Sequence, residues 1–208
     1  MIKCNVTVCG TICRSAEEKT SHDGNKFITL SIVLHLQGKD LTVNELYVSV
    51  SAPGDQALAA EYSTGRKIKA SGLLHVRKHN GTVYYNLRTD KSIGFCESAE
   101  RDSLTGNMEF KGKISKAGIK EMKSKKGRDF QSFSAFSSDL DGEKREFTWV
   151  NFFNLTPVHA DYFAGEKYVE IHGDLQLDIY KSELSLGCKV SSVSPWEIKK
   201  NDNYDAGQ

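Results

Sequence analysis

Phe130, Phe136, Phe147, Trp149 and Phe153 are the side chains here whose types and spacing suit chemistry, and the chemistry is recognition rather than bond-making. They recur at even spacing in two neighbouring stretches. Phe130 alternates with Ser132, Ser134 and Phe136, and Phe147 with Trp149, Asn151 and Phe153. A strand sends alternate side chains to opposite faces, so each set shares one face. Phe133, Ala135, Val150 and Phe152 share the other, which belongs in a core. Between Lys111 and Arg128 there are eight basic residues and one acid, Glu121, a local +7 in a chain whose net charge is +1. Exposed rings beside cations suit an unpaired nucleic-acid strand. Every base offers a π face to a ring whatever its identity, and cations follow the phosphates.

The stacking candidates are therefore Trp149, Phe130, Phe147, Phe153 and Phe136, with Tyr47, Phe27 and Tyr84 from an earlier, similar stretch. The phosphate-binding candidates are Lys120, Lys123, Lys125, Lys126 and Arg128, with Arg77, Lys78 and Arg88 from the earlier stretch. The competing use of such a face is contact with another protein, because large exposed apolar patches mark interfaces of some kind. The adjacent lysines favour nucleic acid, since interface cores are depleted in lysine. Both uses are compatible on different edges.

Signals for catalysis are sparse. His22, His35, His75, His79, His159 and His172 are scattered, and none has metal-ligand spacing. There is no nucleophile elbow and no phosphate-binding glycine motif. The enzymatic alternative is a metal-dependent nuclease built from clustered carboxylates, but the carboxylates fall on expected loops and one outer strand. Cys4, Cys9 and Cys13 have gaps that lack a second ligand pair, so neither metal nor cofactor is expected. Five cysteines without a Cys-x-x-Cys pair, no secretory run and no membrane segment lead us to expect reduced thiols in a cytoplasm.

The elements that must position these residues come as a repeat. Ala57 to Arg88 reads as a short helix stopped by Gly65, then a strand with Ile68, Ala70, Gly72, Leu74 and Val76 on one face. The hairpin signal Asn80-Gly81 follows, then a strand with Tyr84, Tyr85 and Leu87. About 100 residues later, Gly165, Lys167, Gly173 and Leu175 match Gly65, Lys67, Gly72 and Leu74. Both strand glycines fall on the apolar face, where a missing side chain lets a strand bend and close a barrel. Upstream, residues 3–14 match 109–117 as a first strand, and 15–25 and 118–127 are expected to be loops. In strand two, Ile28, Leu30, Ile32, Leu34 and Leu36 face inward, while Phe27, Thr29, Ser31, Val33 and His35 face outward. In strand three, Leu46, Val48 and Val50 face inward and Tyr47 outward. Thr156-Pro157 predicts a helix in the second copy.

The fold expected is thus all-β with short helices: two tandem five-stranded Greek-key barrels of the oligonucleotide-binding type. Barrel one covers 1–97, a polar linker 98–107, barrel two 108–196 and a disordered tail 197–208.

The run Ala59-Ala60-Glu61-Tyr62-x-x-Gly65-x-Lys67-Ile68-x-Ala70-x-Gly72-x-Leu74, with the basic hairpin and Tyr84-Tyr85, resembles the bacterial single-stranded-DNA-binding protein family. The resemblance covers most of 4–96 and, more loosely, 108–194. It implies a sequence-tolerant coat on single-stranded DNA in replication, recombination or repair. Such proteins commonly work with four barrels, which a homodimer of this chain would supply. RNA remains an alternative ligand, because stacking ignores the 2′-hydroxyl. The chain departs from the family in having two barrels, in Tyr47 near an expected tryptophan, and in a tail without the acidic, Pro-Phe-ended stretch that recruits partner enzymes.

Overall fold

The computed structural model describes residues 1–38, 43–91, 93–141, 144–180 and 183–197. The first half forms β1 (Ile2–Thr20), β2 (Lys26–Gln37), β3 (Val43–Pro53), α1 (Gln56–Glu61), β4 (Lys67–His79), β5 (Thr82–Arg88) and β6 (Gly94–Phe95). The second forms β7 (Ser103–Ile114), β8 (Lys120–Lys123), β9 (Asp129–Asp141), β10 (Lys144–Asn154), β11 (Tyr168–Tyr180) and β12 (Glu183–Pro195).

Strand order runs β1-β2-β3-β5-β4 and closes on β1, with β3 and β5 parallel and the other pairs antiparallel. The second half repeats it as β7-β9-β10-β12-β11, closing on β7, with β10 and β12 parallel. Two five-stranded Greek-key barrels of the oligonucleotide-binding fold are therefore present in tandem. Closure removes the open edges that strands otherwise expose.

The period-two reading sets the core. Ile28, Leu30, Ile32, Leu34, Val48 and Val50 are fully buried in barrel one, as are Ala135, Val150 and Phe152 in barrel two. Val33, expected outward, is buried as well. Phe152 stacks on Phe133 at 5.0 Å and meets Phe110 edge-on at 4.9 Å. The strand glycines stand at close approaches: a Cβ on Gly72 would lie 2.3 Å from the Arg88 carbonyl oxygen, and one on Gly173 2.1 Å from that of Lys189. Asn80 and Gly81 take φ of 48° and 80°, as a two-residue hairpin turn requires. In the second copy the left-handed position before strand four is Glu166, at φ 65°, rather than the matching Gly165.

Four expectations change. The stretch 15–25 is mostly strand, because β1 continues to Thr20 and Glu17 to Thr20 pair with Thr29 to Lys26. Glu18 there bonds the Lys26 ammonium and accepts from the Gln56 N–H at 2.6 Å, fixing the start of α1. The linker expected over 98–107 ends early. Ser103 to Asn107 belong to β7 and pair with Cys9 to Asn5, a long-range partner that polar composition conceals. The loop expected over 118–127 contains β8, hairpinned onto β9.

The helix expected after Thr156-Pro157 does not form. The buried side chain of Gln131 instead accepts from the Val158 N–H and donates to the Val158 carbonyl, both at 2.9 Å. A backbone whose polar groups are met from another strand has no need of helical bonds. The 198–208 part of the expected tail lies outside the described residues.

Candidate nucleic-acid interface

β9 and β10 pair without a break, so each outward residue of one strand faces an outward residue of the other. Trp149 lies opposite Phe136, Phe147 opposite Ser138, Asn151 opposite Ser134 and Phe153 opposite Ser132. Trp149 and Phe136 ring centroids are 5.0 Å apart, and Phe147 meets Phe136 edge-on at 5.3 Å. These three rings form one cluster. Trp149 keeps 53% of its surface exposed and Phe147 41%.

Phe153 shares the face but not the cluster. A polar belt separates them: Ser134 Oγ donates to Asn151 Oδ1 at 2.8 Å, and Asn151 Nδ2 donates to Ser185 Oγ at 3.0 Å. At 3.2–3.4 Å per residue, Phe153 stands about 13 Å along the strand from Trp149. Phe130 is half-buried at the start of β9, opposite Met122.

Register also sorts the cations. Lys120, Ser132 and Phe153 form one row across β8, β9 and β10, so Lys120 is directed to the aromatic face. Lys123 has the opposite parity, lies across from Asp129 and pairs with it at 3.8 Å. Lys125, Lys126 and Arg128 are exposed at the turn, where Ser124 N–H donates to the Arg128 carbonyl at 2.8 Å.

The closing strands extend the band beyond what the sequence suggested. Phe136 lies opposite Lys113 of β7, and Lys113 lies opposite Tyr168 of β11. The Lys113 ammonium is 5.8 Å from the Tyr168 ring centroid, and Tyr168 meets Trp196 edge-on at 5.9 Å. Tyr168 is 43% exposed on the outer face of β11. Which strand it joined depends on barrel closure.

Barrel one contributes more dispersed groups. Tyr47 is 57% exposed, and its hydroxyl donates to Glu45 Oε2 at 2.5 Å, which holds its pKa above the ordinary value. Phe27 is half-buried opposite Pro53, while Tyr47 lies opposite Val33, so the two do not form a patch. Tyr84 is exposed opposite Arg77. Arg77, Lys78, His79, Tyr84 and Asn86 line a groove whose other wall is Asp139 and Leu140 of β9. Phe147 lies opposite Ser138, the residue that precedes Asp139 of that wall. Arg88 is exposed at the other end of β5, opposite Leu73. His75 is half-buried, and its pKa is lowered by burial and then by Arg77, Lys3 and Arg88.

Cys4, Cys9 and Cys13 do not assemble. Cys4 points into the core, Cys13 Sγ donates to the Ser31 carbonyl at 3.3 Å, and Cys9 meets Cys96 instead. Cys9, Cys96 and Glu100 bring three donor atoms within 4.8 Å of one another, a group no local spacing announced. Among the described residues, no helix is long and apolar enough to cross a membrane.

Fold and surface together define a two-barrel protein with an aromatic and basic outer sheet. No protein-family model matches the chain, and no curated protein matches it. Among solved structures it is similar to the single-stranded DNA binding protein from Thermus aquaticus, at 13% identity over 96% of this chain and 94% of that one, with a TM-score of 0.46. A Plasmodium falciparum SSB in complex with single-stranded DNA matches at 20% identity over 45% of this chain and 95% of that one, with a TM-score of 0.36. A small single-stranded DNA-binding protein from Streptomyces coelicolor matches at 16% identity over 48% and 97%, with a TM-score of 0.33. At these TM-scores the likeness carries no weight of its own, and the barrel assignment rests on strand order and register.

Proposed function

We propose that this protein binds single-stranded DNA without reading its sequence, coating it rather than acting on it chemically. The observation that carries this reading is the Phe136–Trp149–Phe147 cluster, with Trp149 and Phe147 exposed, set on a continuous sheet beside the Lys120–Arg128 hairpin. Rings of this kind hold any base, at about 1–3 kcal/mol each. Trp149, Phe147 and Phe136 form one stacking station and Phe153 a second, with Phe130 behind it. Lys120, Lys125, Lys126 and Arg128 meet the phosphates there, and Lys123 contributes at longer range. The strand passes along the groove to Arg77, Lys78 and Tyr84, with Arg88, Tyr47 and Phe27 as outlying contacts on barrel one. The acidic outer residues Glu170 and Asp174 of β11 mark a surface that the strand avoids.

By family resemblance, the proposal extends to association of two chains, giving four barrels, and to service in replication, recombination or repair in the cytoplasm. Titration with labelled oligo-dT at low salt tests the binding, and a parallel RNA oligonucleotide tests the choice of sugar. Saturable, salt-sensitive binding of oligo-dT supports the reading. Absence of binding at micromolar protein overturns it in favour of a protein-contact role for the aromatic face.

A further inference from the structure

Far from the aromatic face, Cys9 Sγ and Cys96 Sγ lie 3.5 Å apart. Cys9 has the outward parity of β1 yet is fully buried, because the segment after β6 lies over it. That segment is held by many bonds. Cys96 N–H donates to the Lys67 carbonyl at 3.1 Å, and the Lys67 ammonium donates to the Glu100 carbonyl. The Lys69 ammonium meets Glu100 Oε1 at 3.0 Å, and Asp102 takes Lys67 Nζ and the His35 N–H, both at 2.7 Å. Cys9 also pairs with Ser103, the first residue of β7. The two thiols therefore sit where the chain leaves barrel one for barrel two.

We propose that Cys9 and Cys96 form a modification site, a reversible intrachain cystine that fastens this exit segment to β1 when the protein meets a small-molecule disulfide. Cys96, the more accessible thiol, loses its proton and attacks one sulfur of the small disulfide. That S–S bond breaks, one thiol leaves, and a mixed disulfide forms on Cys96. The Cys9 thiolate then attacks the Cys96 sulfur and expels the second thiol. Two cysteine thiols are oxidised and one small disulfide is reduced to two thiols.

A divalent cation fits the same group less well. The Glu100 carboxylate is already engaged by Lys69, and the ammonium groups of Lys67 and Lys69 both act on the two thiols. Two ammonium groups already beside the sulfurs oppose a further cation. The other cysteines offer no such pair to solvent: Cys4 and Cys188 act on one another but lie buried in the core. Burial pushes both thiols up to about 12. Cys13 is exposed, and its sulfur is bonded to the Ser31 carbonyl.

Cys96 is faced by Cys9 from β1, Lys67 and Lys69 from β4, and Glu100 from its own segment. Burial and the bond to Cys9 push its thiol up to about 11. Because exchange requires thiolate, closure is slow near neutrality and accelerates roughly tenfold per pH unit as pH rises toward that value. The cystine would close a loop spanning 87 residues, so it should raise the thermal midpoint.

The test exposes the reduced full chain to oxidised glutathione at pH 8.5, blocks remaining thiols with an alkylating agent, and maps peptides by mass. We expect a Cys9–Cys96 linked peptide lacking two hydrogens, reversed by dithiothreitol, with a raised melting midpoint. Cys9→Ser and Cys96→Ser each abolish the link and the rise, whereas Cys13→Ser leaves both. Alkylation of both Cys9 and Cys96 after exposure overturns the proposal. So does a glutathione adduct on Cys96 that never resolves in the unsubstituted protein, or linkage only between chains.

Discussion

Trp149 and Phe136 lie directly across the β9–β10 ladder, ring centroids 5.0 Å apart and planes inclined by 55°. Phe136 is half-buried and braces the more exposed indole, so Trp149 is held in place before any ligand arrives. A side chain already fixed loses little freedom on binding, which is what makes a rigid ring an effective anchor.

Trp149→Ala should weaken oligo-dT binding by about 1–3 kcal/mol, roughly 5- to 150-fold in dissociation constant. Its effect on the unfolding midpoint should be small, because about half of the residue's surface is already in water. Fluorescence anisotropy of a labelled oligonucleotide and a thermal melt separate the two effects.

Lys120→Gln should lower the slope of log affinity against log salt by about 0.7, the loss of one phosphate contact on a single strand. Lys123→Gln should change the slope less, because Lys123 has the opposite parity and pairs with Asp129. Binding isotherms at four or five salt concentrations decide between equal and unequal effects.

Gly173→Ala should destabilise the protein by about 1–3 kcal/mol or more, since the new Cβ would lie 2.1 Å from a backbone oxygen that cannot swing away. Gly94→Ala is the control: its φ is outside the left-handed region, and the nearest atom to its Cβ would be the Lys69 carbonyl oxygen at 3.8 Å, an ordinary contact. Denaturant melts of both variants give the comparison.

Asp102 links the exit segment to β2 and β4. Burial raises its pKa, but bonds from the His35 N–H, Lys67 and the His35 ring outweigh that, and the carboxyl sits below its ordinary value. A lowered folded-state pKa stabilises the fold above the unfolded value of about 3.9, and the contribution is lost as pH falls through the folded value. Asp102→Asn should therefore lower the melting midpoint at pH 7, and the difference from the unsubstituted protein should shrink in acid. A difference that grew on acidification would contradict the assignment.

The parity of β3, β9 and β10 was legible in the sequence because a half-buried strand alternates in hydrophobicity residue by residue. That rule placed Phe147, Trp149 and Phe153 on one face and Val150 and Phe152 on the other, as the structure has them. What stayed hidden depends on partners far along the chain. Thr156-Pro157 carries good helix-start signals, yet the Gln131 amide 27 residues away supplies the bonds that a helix would have made. The polar stretch 103–107 gives no strand pattern, and only its pairing with β1 makes it one. Lys113 and Tyr168 join the aromatic band because the second barrel closes, and local sequence cannot say where a barrel closes.

Trp149 emission during oligo-dT titration tests the central claim most directly. Trp196 is the second tryptophan, so a Trp196→Phe chain leaves Trp149 as the reporter. Bases lying flat on the Trp149 ring should quench it saturably, and added salt should restore the emission. Emission that stays constant while the labelled oligonucleotide is bound would place the strand elsewhere and contradict the account.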